Sequence, residues 1–139
     1  MELKNYKEIP KSKTVIVTDI NIINILLDYP ELTSGLYDDI YMPPEPYNYC
    51  KQNMDITTLK QFLKSVKKIE FNASKTAIQS MMEQNEILDE EECYAMLYGM
   101  LNHIDVIVED PRKNGIFIAH NVNTVQLSDL IATAAITKK

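Results

Sequence analysis

Long apolar runs are missing from this chain: none approaches the roughly 20 residues needed to span a bilayer, so no membrane association is expected. The first residues, MELKNYKEIPKSK, hold no apolar stretch of the kind a secretory leader requires, and the expected address is the cytoplasm. Cysteine is scarce. Cys50 and Cys93 are too few for a disulfide framework or a zinc site, and Cys93 falls on an apolar helical stripe, where cysteine serves as a small hydrophobe. His103 and His120 are isolated, without ligand-like spacing, and are read as structural. Positive charge is in deficit. With 14 basic against 20 acidic residues the net charge is -6, which argues against a general electrostatic clamp on nucleic acid but allows a local basic strip. Arg112 is the only arginine.

What is present has the balance of a soluble globular protein, 45% hydrophobic and 24% charged over 139 residues, enough for one domain around a single core. Residues 1–12 are polar, contain Pro10 and read as a loose arm, leaving 13–139 as the domain. TVIVT (14–18) has no polar alternation and predicts a strand buried on both faces, as in a parallel sheet. Asp19 or Asn21 then caps a helix with Ile20, Ile23, Leu26 and Leu27 on its apolar side, stopped by Pro30. Strand followed at once by helix opens a βαβ unit. Asp39–Met42 predicts a short strand, and the prolines after it begin a helix.

Further along, Asp55 caps a helix with Ile56, Leu59, Phe62, Leu63 and Val66 on one face and Lys60, Lys64, Lys67 and Lys68 on the other. KIEF (68–71) reads as a brief strand, and Asn72 or Ser74 caps a helix through Ile78, Met81 and Met82. The helix from Asp89 carries the strongest pattern, with Cys93, Met96, Leu97, Met100, Leu101 and Ile104 at helical spacing. DVIVE (105–109) is the next strand. PRKNG then either turns a hairpin into IFIAHN, giving α+β, or starts a helix at Pro111, giving α/β. TVQL (124–127) reads as a strand, and Ser128 caps a final helix.

The acids fall in a suggestive place. In a parallel α/β sheet, ligands gather at the carboxyl ends of the strands, and Asp19, Glu109 and Asp110 all follow strand ends. On the Asp89 helix, Glu91 points away from the apolar face, towards solvent, whereas Glu92 sits about 110° from its centre and can reach the edge of a cleft. Clustered carboxylates suit Mg²⁺, which takes oxygen ligands and assists phosphodiester cleavage. The plainer role for the same acids is to cap helices and answer their dipoles.

Several stretches resemble a known family. VIVTDINIINILL resembles the opening of PIN domains, a hydrophobic strand, Asp-x-Asn and an apolar helix. IYMPPEPYNYC resembles their second strand and helix, and LDEEECYAMLYGMLNHIDVIVEDPRK the closing half of PIN proteins of the toxin–antitoxin type, with TVQLSDLI as the last strand and helix. The likeness spans residues 14 to about 132. It implies a three-layer α/β/α sandwich with a central, mostly parallel sheet, and a helix from Pro111 to about His120. Gly115 opposes that helix by roughly 1 kcal/mol. It also implies an endoribonuclease acting on single-stranded RNA through Mg²⁺ or Mn²⁺ held by three or four acids.

Position by position, Asp19 matches the family's first acid and Asn21 its companion. Glu92 matches the acid on the later helix, and Asp110 the acid after the penultimate strand. The second acid of the pattern falls at Tyr49, whose protonated hydroxyl is no Mg²⁺ ligand at neutral pH. Glu45, one turn earlier, is the available substitute. The likeness further implies an RNA path, for which Lys51, Lys60, Lys64 and Arg112 are candidates. It implies too an antitoxin or other protein partner, or a second copy of the chain, with Tyr37, Tyr41, Tyr47 and Met54 taken as exposed contact residues. Two alternatives stand beside the nuclease: a catalytically degenerate PIN-like binding module, motivated by Tyr49, and a small acidic protein-binding regulator of a mobile element.

Overall fold

Val15, Ile16 and Val17 of the first strand are fully buried, alternating between two apolar clusters on opposite faces of one sheet. A run branched at every Cβ with no polar alternation is suited to a position covered on both sides. The computed structural model describes residues 12–33, 36–54 and 65–137. Its elements run β1 (Thr14–Val17), α1 (Ile20–Asp28), a 3₁₀ turn (Pro30–Leu32), β2 (Asp39–Met42), α2 (Pro44–Asn53) and β3 (Ser65–Lys68). They continue with α3 (Lys75–Gln84), α4 (Glu90–Asn102), β4 (Asp105–Ile107), α5 (Pro111–Ala119), β5 (Thr124–Val125) and α6 (Leu127–Thr137).

The strands form one sheet in the order β3-β2-β1-β4-β5, and every pairing is parallel. Ile22, Ile23 and Leu26 of α1, Cys50 of α2 and Leu130 of α6 cover one face, with Val15, Val17, Ile40 and Ile107 beneath them. Ile78 of α3, Cys93 and Met96 of α4 and Phe117 of α5 cover the other, over Ile16 and Val106. The result is the three-layer α/β/α sandwich that the sequence led us to expect. The choice after Asp110 goes to the helix: Asp110 caps α5, and Gly115 points where nothing lies within 4 Å. Among the described residues no helix is long and apolar enough to cross a membrane.

Several local expectations change. The helix expected from Asp55 falls on residues 55–64, outside the described residues together with Lys60 and Lys64. Val66, Lys67 and Lys68, placed on that helix, belong to β3, which pairs with β2 from Asp39↔Ser65 to Met42↔Lys68. The strand therefore precedes most of KIEF, because pairing partners rather than local apolarity set its register. The last helix begins at Leu127, so Ser128 lies inside it, and the Asp129 carboxylate reaches back to accept from the Gln126 N–H at 2.8 Å.

Leu101, placed on the α4 stripe, is 60% exposed; Ala95 and Gly99 are buried instead, where the helix lies close against β4. Tyr37, taken as exposed, is buried and donates to the Asp105 carboxylate at 2.8 Å, tying the segment before β2 to the start of β4. Tyr41, Tyr47 and Met54 are half-buried against the two clusters.

The corrected α4 face makes a prediction. Met96→Ala should cost about 2–5 kcal/mol and Leu101→Gln no more than about 0.5 kcal/mol, read as shifts in urea unfolding midpoints. The opposite ranking would mean that α4 presents a different side to the sheet.

Candidate functional site

Parallel pairing of β1 with β4, from Val15↔Asp105 to Val17↔Ile107, sets the carboxyl ends of the two strands side by side. Asp19 follows one end, and Glu109 and Asp110 the other. The first turn of α4 adds Glu92. Asp19, Glu92, Glu109 and Asp110 line one cleft of about 190 Å³ whose floor is Ile22, Ile107 and Phe117, with Lys113 at its wall. The three acids predicted as ligands thus share one opening.

Each carboxylate also has a local structural task. Asp19 caps α1, its Oδ1 accepting from the Asn21 N–H at 2.8 Å, so Asn21 supports Asp19 through its backbone. Glu92 and Asp89 form a reciprocal capping box: Asp89 Oδ1 accepts from the Glu92 N–H at 2.8 Å, and Glu92 Oε1 from the Asp89 N–H at 2.9 Å. Asp110 caps α5 and accepts from the Arg112 N–H at 2.9 Å. Glu109 turns to the start of α6, where it accepts from the Leu127 N–H at 3.1 Å. The acids are gathered at the positive ends of helix dipoles, which offsets part of their mutual repulsion.

Cations of the protein itself meet two of these acids. Lys113 Nζ lies 2.9 Å from Glu92 Oε2, and its hydrogen bond to Glu92 holds the ammonium above its usual range. The Arg112 guanidinium lies 3.2 Å from Asp110 Oδ2, and this hydrogen bond, with the Arg112 N–H, draws the Asp110 carboxyl below its usual range. Arg112, expected to meet RNA, is thus engaged with Asp110. Lys113 was not singled out from the sequence; its place three residues after Asp110 on a helix starting at Pro111 was the available signal, since that spacing returns to the same face.

The donor chemistry suits a hard divalent cation: four carboxylates, Asp19, Glu92, Glu109 and Asp110, along a cleft at the carboxyl ends of parallel strands. Asp19, Glu92 and Asp110 are the residues that would hold it. As the side chains stand, no three Asp, Glu, His or Cys among the described residues are close enough together to ligate one ion.

The remaining site residues lie elsewhere. Tyr49 sits on α2 and is 47% exposed. Glu45, in the first turn of α2, does not line the cleft but meets Glu91 through a side-chain hydrogen bond. Glu91 therefore does not point to open solvent. The sequence suggested otherwise because helical geometry around α4 alone takes no account of α2 lying against its start. Burial, reinforced by the bond to Glu45, pushes the Glu91 carboxyl up to about 7. Lys51, on α2, is exposed. His103 ends α4 in the left-handed conformation, and His120 Nδ1 lies 2.8 Å from the Ile116 carbonyl, both outside the cleft.

No protein-family model matches the chain, and no curated protein does. Among solved structures, the chain is similar to a PilT N-terminus domain protein from the hyperthermophilic archaeon Sulfolobus solfataricus P2. The two superpose with a TM-score of 0.59 at 15% identity, over 87% of this chain and 92% of that one. The fold is PIN-like. PIN abbreviates PilT N-terminus, and at this identity the likeness speaks for the fold alone.

The Glu45–Glu91 contact yields a pH prediction for this PIN-like fold. The Glu91 carboxyl titrates higher in the folded chain than its ordinary 4.5, so its stabilising contribution is complete below that value and disappears as pH rises through about 7. Glu91→Gln should melt near the wild type at about pH 4 and above it at about pH 8. A constant difference across that range would mean the carboxyls do not share a proton.

Proposed function

We propose that the protein is a PIN-like, divalent-metal-dependent endoribonuclease that cleaves single-stranded RNA in the cytoplasm, the activity expected of the toxin in a toxin–antitoxin pair. The observation that supports this reading is that Asp19, Glu92 and Asp110, far apart in the chain, line one cleft at the carboxyl ends of β1 and β4. The PIN-like fold supports it.

Bound there, Mg²⁺ or Mn²⁺ would supply Lewis acidity, making water a better nucleophile and offsetting the negative charge that develops on the phosphodiester. The chain's own groups do the rest. The Asn21 and Arg112 N–H groups hold the Asp19 and Asp110 carboxylates in fixed orientations at the cleft wall. The Lys113 ammonium, on Glu92, lowers the repulsion an anionic phosphate would meet on entry. Apolar Ile22, Ile107 and Phe117 form the floor and limit the water around these charges.

Pure protein with Mn²⁺ should cleave unstructured RNA. Asp19→Asn and Asp110→Asn should each reduce the rate on the order of 100-fold or more while the chain stays folded by circular dichroism. Activity that survives both changes would exclude this centre.

A second reading has its own observation. Tyr49 stands exposed where the family pattern has an acid, and Glu45 is engaged with Glu91 outside the cleft. Both favour a PIN-like module that binds RNA or a partner protein without cutting. Tyr49→Glu separates the two readings: cleavage that appears only in this variant identifies a decayed centre, and cleavage by the wild type rules the second reading out.

A further inference from the structure

The three lysines of the described chain that meet on one opening lie away from the acidic cleft, beside β3, the edge strand of the described sheet. A groove of about 510 Å³ runs there between α2, β3 and α4. Lys51 from α2 and Lys67 and Lys68 from β3 line it, all three exposed, and among its described lining residues only Glu70 opposes them. On a chain of net charge -6 this is an uneven placement of positive charge. Tyr41, Tyr47 and Tyr98 line the same groove. The Tyr98 ring is held 6.4 Å from Tyr41 and 5.4 Å from Phe71, so its orientation is set by packing before any ligand arrives.

Lysines on an edge strand have a simpler use, guarding the edge against pairing with another chain. That use explains neither Lys51, which is on a helix, nor three tyrosines in the same opening. We propose that this groove is a cradle for single-stranded nucleic acid, in which Lys51, Lys67 and Lys68 meet successive phosphates and the tyrosines offer faces on which unpaired bases stack. Cationic grooves interleaved with aromatic rings are suited to single strands because every unpaired base presents a π-face, whereas a duplex conceals it.

A neighbouring depression of about 450 Å³ shares Lys68 and Glu70 with the groove and reaches Pro44, next to Glu45. Lys68 ends β3 at the same end of the sheet as Asp19 follows β1, two strand spacings or roughly 10 Å across. That the bound strand is RNA rests on the function proposed above; that the groove binds single strands does not.

The test is fluorescence anisotropy with a labelled oligouridylate of about ten nucleotides, in EDTA so that no metal-dependent cleavage occurs. Three phosphate contacts predict a slope of log affinity against log salt of about -2, and Lys67→Gln combined with Lys68→Gln should bring it to about -0.7 and weaken binding roughly 10-fold. Tyr47→Ala should weaken binding roughly 5-fold or more, and Tyr47→Phe should restore it. Lysine and Tyr47 variants that remain folded and bind unchanged overturn the proposal, as does equal affinity for a duplex of the same length. Binding lost in groove variants while no variant cleaves RNA upholds the groove and counts against the nuclease alone. Wild-type cleavage with binding indifferent to the groove does the reverse.

Discussion

The parallel pairing of β1 with β4 is the constraint on which the rest of this structure depends. It joins strands separated by almost ninety residues and brings the turns after them to one end of the sheet. Asp19 and Asp110 are neighbours only because of it. Glu92 comes from a third direction, on a helix whose Cys93 and Met96 pack against the sheet and leave the preceding residue at the rim of the cleft. Pairing and packing together do what no local sequence pattern can, which is to place carboxylates of the same charge in one opening.

Like charges gathered in this way must be stabilised, and the structure does so in two manners. Around the cleft, helix N-termini and the side chains of Lys113 and Arg112 compensate the ionised acids. Beside it, where α2 meets α4, the Glu45–Glu91 contact is compensated by a proton, and the Glu91 carboxyl rises towards neutrality. Two adjacent glutamates on α4 thus differ in character. Glu92 meets an ammonium, Glu91 another carboxyl. The capping role and the cleft-lining role of Asp19, Glu92 and Asp110 are not alternatives, since a carboxylate that caps a helix at a strand's carboxyl end faces the space where α/β proteins bind ligands.

Much of the fold was legible in the chain. TVIV, the capping residues Asp19, Ser74 and Asp89, and the prolines that open α2 act over a few residues, and those interactions are encoded where they occur. Errors arose where a distant partner decides. Lys67 and Lys68 fit the spacing of a helix face, yet β2 captures them as a strand. Tyr37 looks like a surface tyrosine until Asp105 arrives from β4 to accept its hydrogen bond. Leu101 fits the helical template, but in the last turn of α4 it is Gly99 that faces β4, and Leu101 is left in solvent.

By itself, the sequence determined the alternation of strands and helices, the caps at their boundaries and the acids that follow strand ends, because backbone propensity and capping are short-range. Tertiary structure alone decided that Lys113 meets Glu92, that Glu45 turns to Glu91, and that lysines and tyrosines from α2, β2, β3 and α4 border one groove. The physical reason is distance along the chain. Charge and ring contacts act over a few ångströms in space, and only strand order and helix packing set which residues come that close.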